Sequence, residues 1–316
     1  MKKEYSFPSS DGITKIHVIS WLPDEGAPKA ILQLVHGMIE YIDRYDEFAN
    51  YMTTKGFIVI GHDHLGHGKS VRSTDDLGFI ADKNPSDKLI HDINRLRIAT
   101  AKKYPDLPYF MLGHSMGSYL LRKYISQYGS GLAGAVVMGT GCESDIATLG
   151  GLALIKAKAK KFGWHYRDTK VRDLTYTAPY KKYNLDGTDV SNSWLSKNEE
   201  NVTAYYNNPL NTFTFTLNGY EALLTTVLYT NQKKNIDSIP KDLPILIVSG
   251  EDDPVGNLGN GVKKVYQKFV QAGIKDVVCH LFPNDRHEIL NETDRDEVYS
   301  YISDWLDEHY ELEKIQ

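Results

Sequence analysis

An α/β fold is predicted, with a mostly parallel eight-stranded sheet, helices on both of its faces and a helical cap insertion. Three observations carry it. Short apolar runs rich in β-branched residues alternate with stretches of helical length and spacing, the mark of strands joined by helical crossovers. Glycines stand where helices should stop and strands approach, at Gly56, Gly129 and Gly273. The rhythm then breaks across residues 142–236, which hold tyrosine and tryptophan clusters, lysine runs and no comparable strand.

In chain order, residues 13–21 are polar at every second position and suit an antiparallel strand at the sheet edge. Strands follow over 30–35 and 57–60, with a helix over 43–55 between them. A helix over 86–103 leads to a strand over 109–112, and a helix over 116–128 to a strand over 133–138. Beyond the break come a strand over 244–248, a helix over 260–272, a strand over 277–282 and a helix over 294–311. The domain reading is a core formed by 1–141 and 237–316, with 142–236 as a helical cap above the sheet. A length of 316 residues suits one large domain carrying an insertion as well as it suits two domains.

Composition narrows the partners. With 41% hydrophobic and 24% charged residues the chain can bury a sizeable core. Its 36 Lys and Arg against 41 Asp and Glu leave −5, so no basic field exists to hold a phosphate backbone, and nucleic acid is set aside. Cys142 and Cys279 are far apart and read as reduced, which points to the cytoplasm. No apolar run follows the first charged residues, and none anywhere reaches the roughly 18 needed to cross a bilayer.

The chemistry centres on Gly113-His114-Ser115-Met116-Gly117, between the strand over 109–112 and a helix. A serine on so sharp a strand-to-helix turn needs tiny neighbours two residues away on each side. Its hydroxyl is a poor nucleophile near neutral pH and needs a base, with a carboxylate holding that base in the right tautomer. Gly250-Glu251-Asp252-Asp253-Pro254 and Asp285-Arg286-His287-Glu288 follow the next two strands. The order Ser115, Asp253, His287 is the one this turn is used with. Asp253 is preferred to Asp252 because it stands three residues past the glycine that ends its strand. Oxyanion donors are expected from the backbone N–H of Met116, after the serine, and of Met38, in the loop after the strand over 30–35, where Gly37 lets the backbone turn inward.

Together these pieces resemble the α/β-hydrolase superfamily, and within it the branch of monoacylglycerol lipases, lysophospholipases and serine aminopeptidase-like hydrolases. The resemblance rests on His36-Gly37-Met38-Ile39-Glu40 with Arg44-Tyr45, on Asp63-His64-Leu65-Gly66-His67-Gly68-Lys69-Ser70, on Gly113 to Gly117, on Gly250 to Gly256, and on Arg286-His287-Glu288-Ile289-Leu290-Asn291-Glu292. It implies Ser115 as nucleophile, Asp253 and His287 as its partners, and Met38 and Met116 as oxyanion donors. It also implies substrate contacts at His36, Gly37, Tyr41 and His114. Relatives often carry histidine where Tyr41 stands, which bears on substrate preference. No cofactor is implied.

Other signals compete. His62, His64 and His67 look like a zinc cluster, but Gly66 occupies the place where an acid would be wanted, and no metal is expected. Leu149, Leu152, Ile155, Ala159 and Phe162 share a helical face with Lys156, Lys158, Lys160 and Lys161 around the rest. That helix would either pack onto the core or touch a membrane surface peripherally. Trp194, Tyr205, Tyr206, Phe213, Phe215 and Tyr220 would line an acyl pocket or form the insertion's own core.

The expectation is a serine hydrolase of carboxylic esters acting through an acyl-enzyme. By resemblance, its substrates are small acyl esters such as monoacylglycerols or lysophospholipids. Two alternatives stay open. One is an aminopeptidase or amidase with the same triad, its substrate amine held by Asp186, Asp189, Glu199 or Glu200; the other is a silent binding protein. Oligomeric state is unassigned.

Overall fold

The computed structural model describes residues 1–313. Its strands are β1 (Lys2–Pro8), β2 (Lys15–Trp21), β3 (Ala30–Val35), β4 (Phe57–His62), β5 (Tyr109–His114), β6 (Gly134–Met138), β7 (Ile245–Gly250) and β8 (Val277–Phe282). They form one sheet in the order β1-β2-β4-β3-β5-β6-β7-β8. The pairings of β1 with β2 and of β2 with β4 are antiparallel, and all later ones are parallel. The helices are α1 (Asp46–Thr54), α2 (Pro85–Lys103), α3 (Met116–Tyr128), α4 (Asp145–Phe162), α5 (Thr169–Thr175), α6 (Glu199–Tyr206), α7 (Leu217–Asn231), α8 (Lys233–Ile236), α9 (Asn260–Gln271) and α10 (Arg295–Glu313).

Successive side chains of a strand point to opposite faces, and β3 feeds two cores in this way. Ile31 and Val35 join Leu89 and Ile93 of α2 and Leu120 of α3 on one face. Leu32 and Leu34 join Phe48 and Met52 of α1 and Ile302 and Leu306 of α10 on the other. Both faces are therefore covered, as a parallel sheet requires. Gln33 is the polar exception within β3, and it is satisfied: its amide donates to Ile93 O at 3.1 Å and accepts from the Tyr109 hydroxyl at 2.6 Å.

Strand β1 has no counterpart in the sequence reading. It pairs along its whole length with β2 at the sheet edge, and its residues are mostly exposed, so no apolar pattern marks it. The helix expected over 43–55 is a 3-10 turn, Ile42–Tyr45, followed by α1.

From β3 the chain builds outward in one direction, and from β5 to β8 in the other. The carboxyl ends of β3 and β5 thus flank a topological switch point, where ligands of open α/β sheets bind. Between β6 and β7 lie α4 to α8, with α7 packed against α2, α3 and α4. On α4 the buried stripe is narrower than the sequence indicates. Leu152, Ile155 and Ala159 are buried, whereas Leu149 and Phe162 are 52% and 48% exposed. Among the described residues no helix is long and apolar enough to cross a membrane.

Candidate active site

Ser115 stands between β5 and α3 with φ 54° and ψ −121°, a conformation outside the ordinary regions for a residue with a side chain. The turn is held by the Ser115 N–H donating to Met138 O at 3.0 Å. Its two glycines have separate steric reasons. A Cβ on Gly113 would lie 2.4 Å from Gly117 O, and one on Gly117 only 2.0 Å from Val35 O and 2.6 Å from His36 O. Gly117 therefore lets α3 press onto the end of β3. Gly117→Ala is expected to cost about 1–3 kcal/mol by overpacking, read as a lower Tm, with a loss of activity as Ser115 is displaced.

The side chains of Ser115, His287 and Asp253 meet although they come from three separate loops. Ser115 Oγ lies 2.8 Å from His287 Nε2, and His287 Nδ1 lies 3.1 and 3.0 Å from the two carboxylate oxygens of Asp253. Asp253 is fully buried and also accepts from the Ser249 hydroxyl at 3.0 Å and the Val255 N–H at 2.8 Å. Burial alone would push its carboxyl up. The facing His287 and these donors outweigh burial and hold it below its usual range. Its neighbour Asp252 turns instead toward the segment between β6 and β7, with Lys182 Nζ 3.5 Å away and the Tyr183 hydroxyl donating to its carbonyl. An alcohol, an imidazole and a buried carboxylate in this sequence can strip the hydroxyl proton as the oxygen attacks.

Ser115, Met38, Met116, His114 and His287 line an open cavity of about 490 Å³ whose other walls are mostly apolar, including Ile155, Leu223, Leu224 and Val227. The N–H groups of Met38 and Met116 donate to no other group among the described residues. His36, Gly37 and Tyr41 stand outside the lining. His36 Nδ1 donates to Gly37 O at 2.8 Å while Nε2 accepts from the His64 N–H at 2.9 Å, so the ring braces the loop. The Tyr41 hydroxyl accepts from Asn208 Nδ2 at 2.8 Å, joining that loop to the segment between β6 and β7.

A buried ionic network lies behind this site, and sequence reasoning did not assemble it. Glu40 accepts from the Gly37 N–H, the Tyr45 hydroxyl, His114 Nδ1 and Arg44. Arg44 also forks onto both carboxylate oxygens of Glu288, at 2.8 and 2.7 Å. His114 Nε2 faces His287 O at 3.1 Å. Burial works against charging His114, but Glu40 overcomes it and raises the imidazole above its ordinary value. With acceptors at both nitrogens, His114 suits the protonated form. The motifs contained Glu40, Arg44 and Glu288, but no local pattern says that they touch.

The segment between β6 and β7 packs on the histidine loop. Trp194 stacks on His287 with centroids 5.1 Å apart, and Tyr180 packs on Trp194 at 5.4 Å. The Glu288 N–H donates to Leu195 O at 2.8 Å, and Lys197 pairs at 2.7 Å with Asp285, whose carboxyl burial pushes up to about 6. The aromatics between β6 and β7 divide, and the insertion's own core is not where the second group goes. Trp194, Tyr205 and Tyr220 line the cavity, while Phe213 and Phe215 pack behind it against His67. Asp186, Asp189, Glu199 and Glu200 are exposed and line none of it.

His62, His64 and His67 are fully buried, with rings packed on one another and on His36. Burial pushes His62 and His67 down to about 3, which keeps them neutral. Among the described residues no group of three or more His, Cys, Asp or Glu side chains is arranged to hold a metal ion.

Comparison with known proteins shows what the whole chain is similar to. A monoacylglycerol lipase of Mycolicibacterium smegmatis is 25% identical over 98% of both chains. The monoglyceride lipase of Rattus norvegicus is 27% identical over 60% of this chain and 54% of its own. Among solved structures, a highly thermostable carboxyl esterase from Bacillus coagulans, in complex with glycerol, superposes with a TM-score of 0.89 at 30% identity, over 98% of this chain and 99% of that one. The family described as "Serine aminopeptidase, S33" matches residues 26–294. The chain belongs to that family and has its α/β-hydrolase fold.

Proposed function

We propose that this chain hydrolyses monoacylglycerol-like esters through an acyl-enzyme on Ser115. It is a hydrolase of the esterase and lipase type, like its relatives. The observation that carries the finer reading is the Ser115–His287–Asp253 relay at the wall of a large apolar cavity. Ser115 attacks the ester carbonyl while His287 takes its proton, and Asp253 keeps the imidazole oriented and balances its charge. The amides of Met38 and Met116 hold the developing oxyanion. His287 then returns the proton to the leaving alcohol, and water, activated in the same way, releases the acid.

Residues 142–236 act as a cap over this site and supply much of the acyl wall. Exposed Ile146, Leu149 and Phe162 stand on α4 beside its lysines, with exposed Leu174 of α5 at the cavity wall, which supports docking on a lipid surface. A panel of p-nitrophenyl esters of rising chain length, beside monoacylglycerol, lysophospholipid and amino-acid anilides, tests the assignment. Esters are expected to turn over fastest, with medium-chain acyl groups exceeding acetate. Anilides turning over faster than every ester would overturn it.

A further inference from the structure

The cavity wall is electrically lopsided. Among the described residues no lysine or arginine lines it, and two of its acids, Glu40 and Glu288, are already paired with Arg44. The third, Glu143, has no such partner. Its backbone carbonyl accepts from Asn231, but its carboxylate makes no hydrogen bond or ion pair among the described residues. Although the residue is exposed to the open cavity, its carboxyl is turned inward. A Cβ on Gly141 would lie 2.6 Å from Val255 O, 2.7 Å from the Tyr119 hydroxyl and 3.3 Å from Glu143 Oε1, so three oxygens converge on the face this glycine leaves bare. Burial raises the Glu143 carboxyl above its usual range.

This corner adjoins the relay. The Val255 N–H donates to Asp253 Oδ1 at 2.8 Å, while Val255 O faces the same bare side of Gly141 as Glu143 Oε1. Tyr180 packs on Trp194, which stacks on His287, and all three line the cavity with Glu143. Among the described residues, the cavity that holds His287 thus carries an unpaired carboxylate and no lysine or arginine.

We infer that Glu143 is a charge filter, admitting esters of uncharged alcohols and rejecting those whose alcohol carries a phosphate. The inference rests on the ester-hydrolase reading above. Specificity of this kind comes from a repulsive element rather than from an added contact. It separates the two substrate classes left open by the sequence, monoacylglycerols and lysophospholipids, in favour of the first.

The test uses two soluble substrates with one acyl chain, 1-octanoylglycerol and 1-octanoylglycerol 3-phosphate, with p-nitrophenyl octanoate as a separate readout of ester cleavage. The wild-type kcat/KM is expected to favour the uncharged glyceride by at least about tenfold, like charges across a contact being costly. Glu143→Gln, nearly isosteric, should narrow that ratio several-fold, and Glu143→Lys should narrow it further or invert it. Equal turnover of the two substrates by the wild type, or a ratio unchanged in both variants while p-nitrophenyl octanoate is cleaved, overturns the filter alone. Failure to cleave p-nitrophenyl octanoate overturns the ester reading and the filter with it.

Discussion

Ser115→Ala is expected to lower kcat for a soluble ester by about 10⁴-fold or more, with the protein still folded. The neighbouring Ser118 hydroxyl is no ready substitute, because it is committed to Ser115 O at 2.6 Å. Asp253→Asn should cost a similar factor, about 10⁴-fold, for a different reason. His287 must present a bare Nε2 to the hydroxyl, and it does so because Nδ1–H donates to an acceptor-only carboxylate. A carboxamide can offer N–H in that place and favour the wrong tautomer. Because the three groups act as a unit, the double variant should be scarcely slower than Ser115→Ala alone. Steady-state kinetics with p-nitrophenyl butyrate, beside circular dichroism to confirm folding, measures both effects.

Glu40→Ala should be the most damaging change outside the relay. It leaves Arg44 with one carboxylate, strips His114 of its charge partner and frees the Gly37 N–H in the loop that carries Met38. Breaking a buried ion pair from one side costs about 3–5 kcal/mol. Activity should fall as well, since the same carboxylate joins that loop to the residue before Ser115.

The pH dependence gives this network its own signature. His114 is held above its ordinary 6.5, so its contribution to stability is complete below 6.5 and is lost as pH rises through the elevated value. Glu40 is held far below its ordinary 4.5, despite burial, by His114 and Arg44. Its contribution is present above 4.5 and is lost only as pH falls through the depressed value. The stability gap between wild type and Glu40→Gln should therefore be widest between pH 4.5 and 6.5 and shrink on the alkaline side. Denaturant unfolding across that range checks it, and a gap that grew with alkalinity would remove His114 from the network.

The parts of the site that local sequence revealed are those where covalent geometry dictates residue type. Gly113 and Gly117 are legible because the backbone crosses itself around Ser115, and the loops after β7 and β8 announce Asp253 and His287 by their position after a strand. The β-rich runs were equally plain where both faces are buried. What escaped lacks such a signature. Strand β1 is polar because nothing covers it. The pairing of Arg44 with Glu288 joins residues at opposite ends of the chain, and only the tertiary fold brings them together. Glu143 reads in sequence as one more acid near a helix start, and its place in the cavity depends on how the loop after β6 turns past Gly141 and Val255. Asp186, Asp189, Glu199 and Glu200 are as prominent in the sequence as Glu143, yet they are exposed and line no part of the cavity.

The central claim is that the relay makes Ser115 nucleophilic, and covalent labelling tests it most directly. A fluorophosphonate probe followed by peptide mass spectrometry should find one adduct, on Ser115, absent in Ser115→Ala and formed far more slowly in Asp253→Asn. Folded wild-type protein that takes up no probe, or takes it up on another residue, would contradict the account.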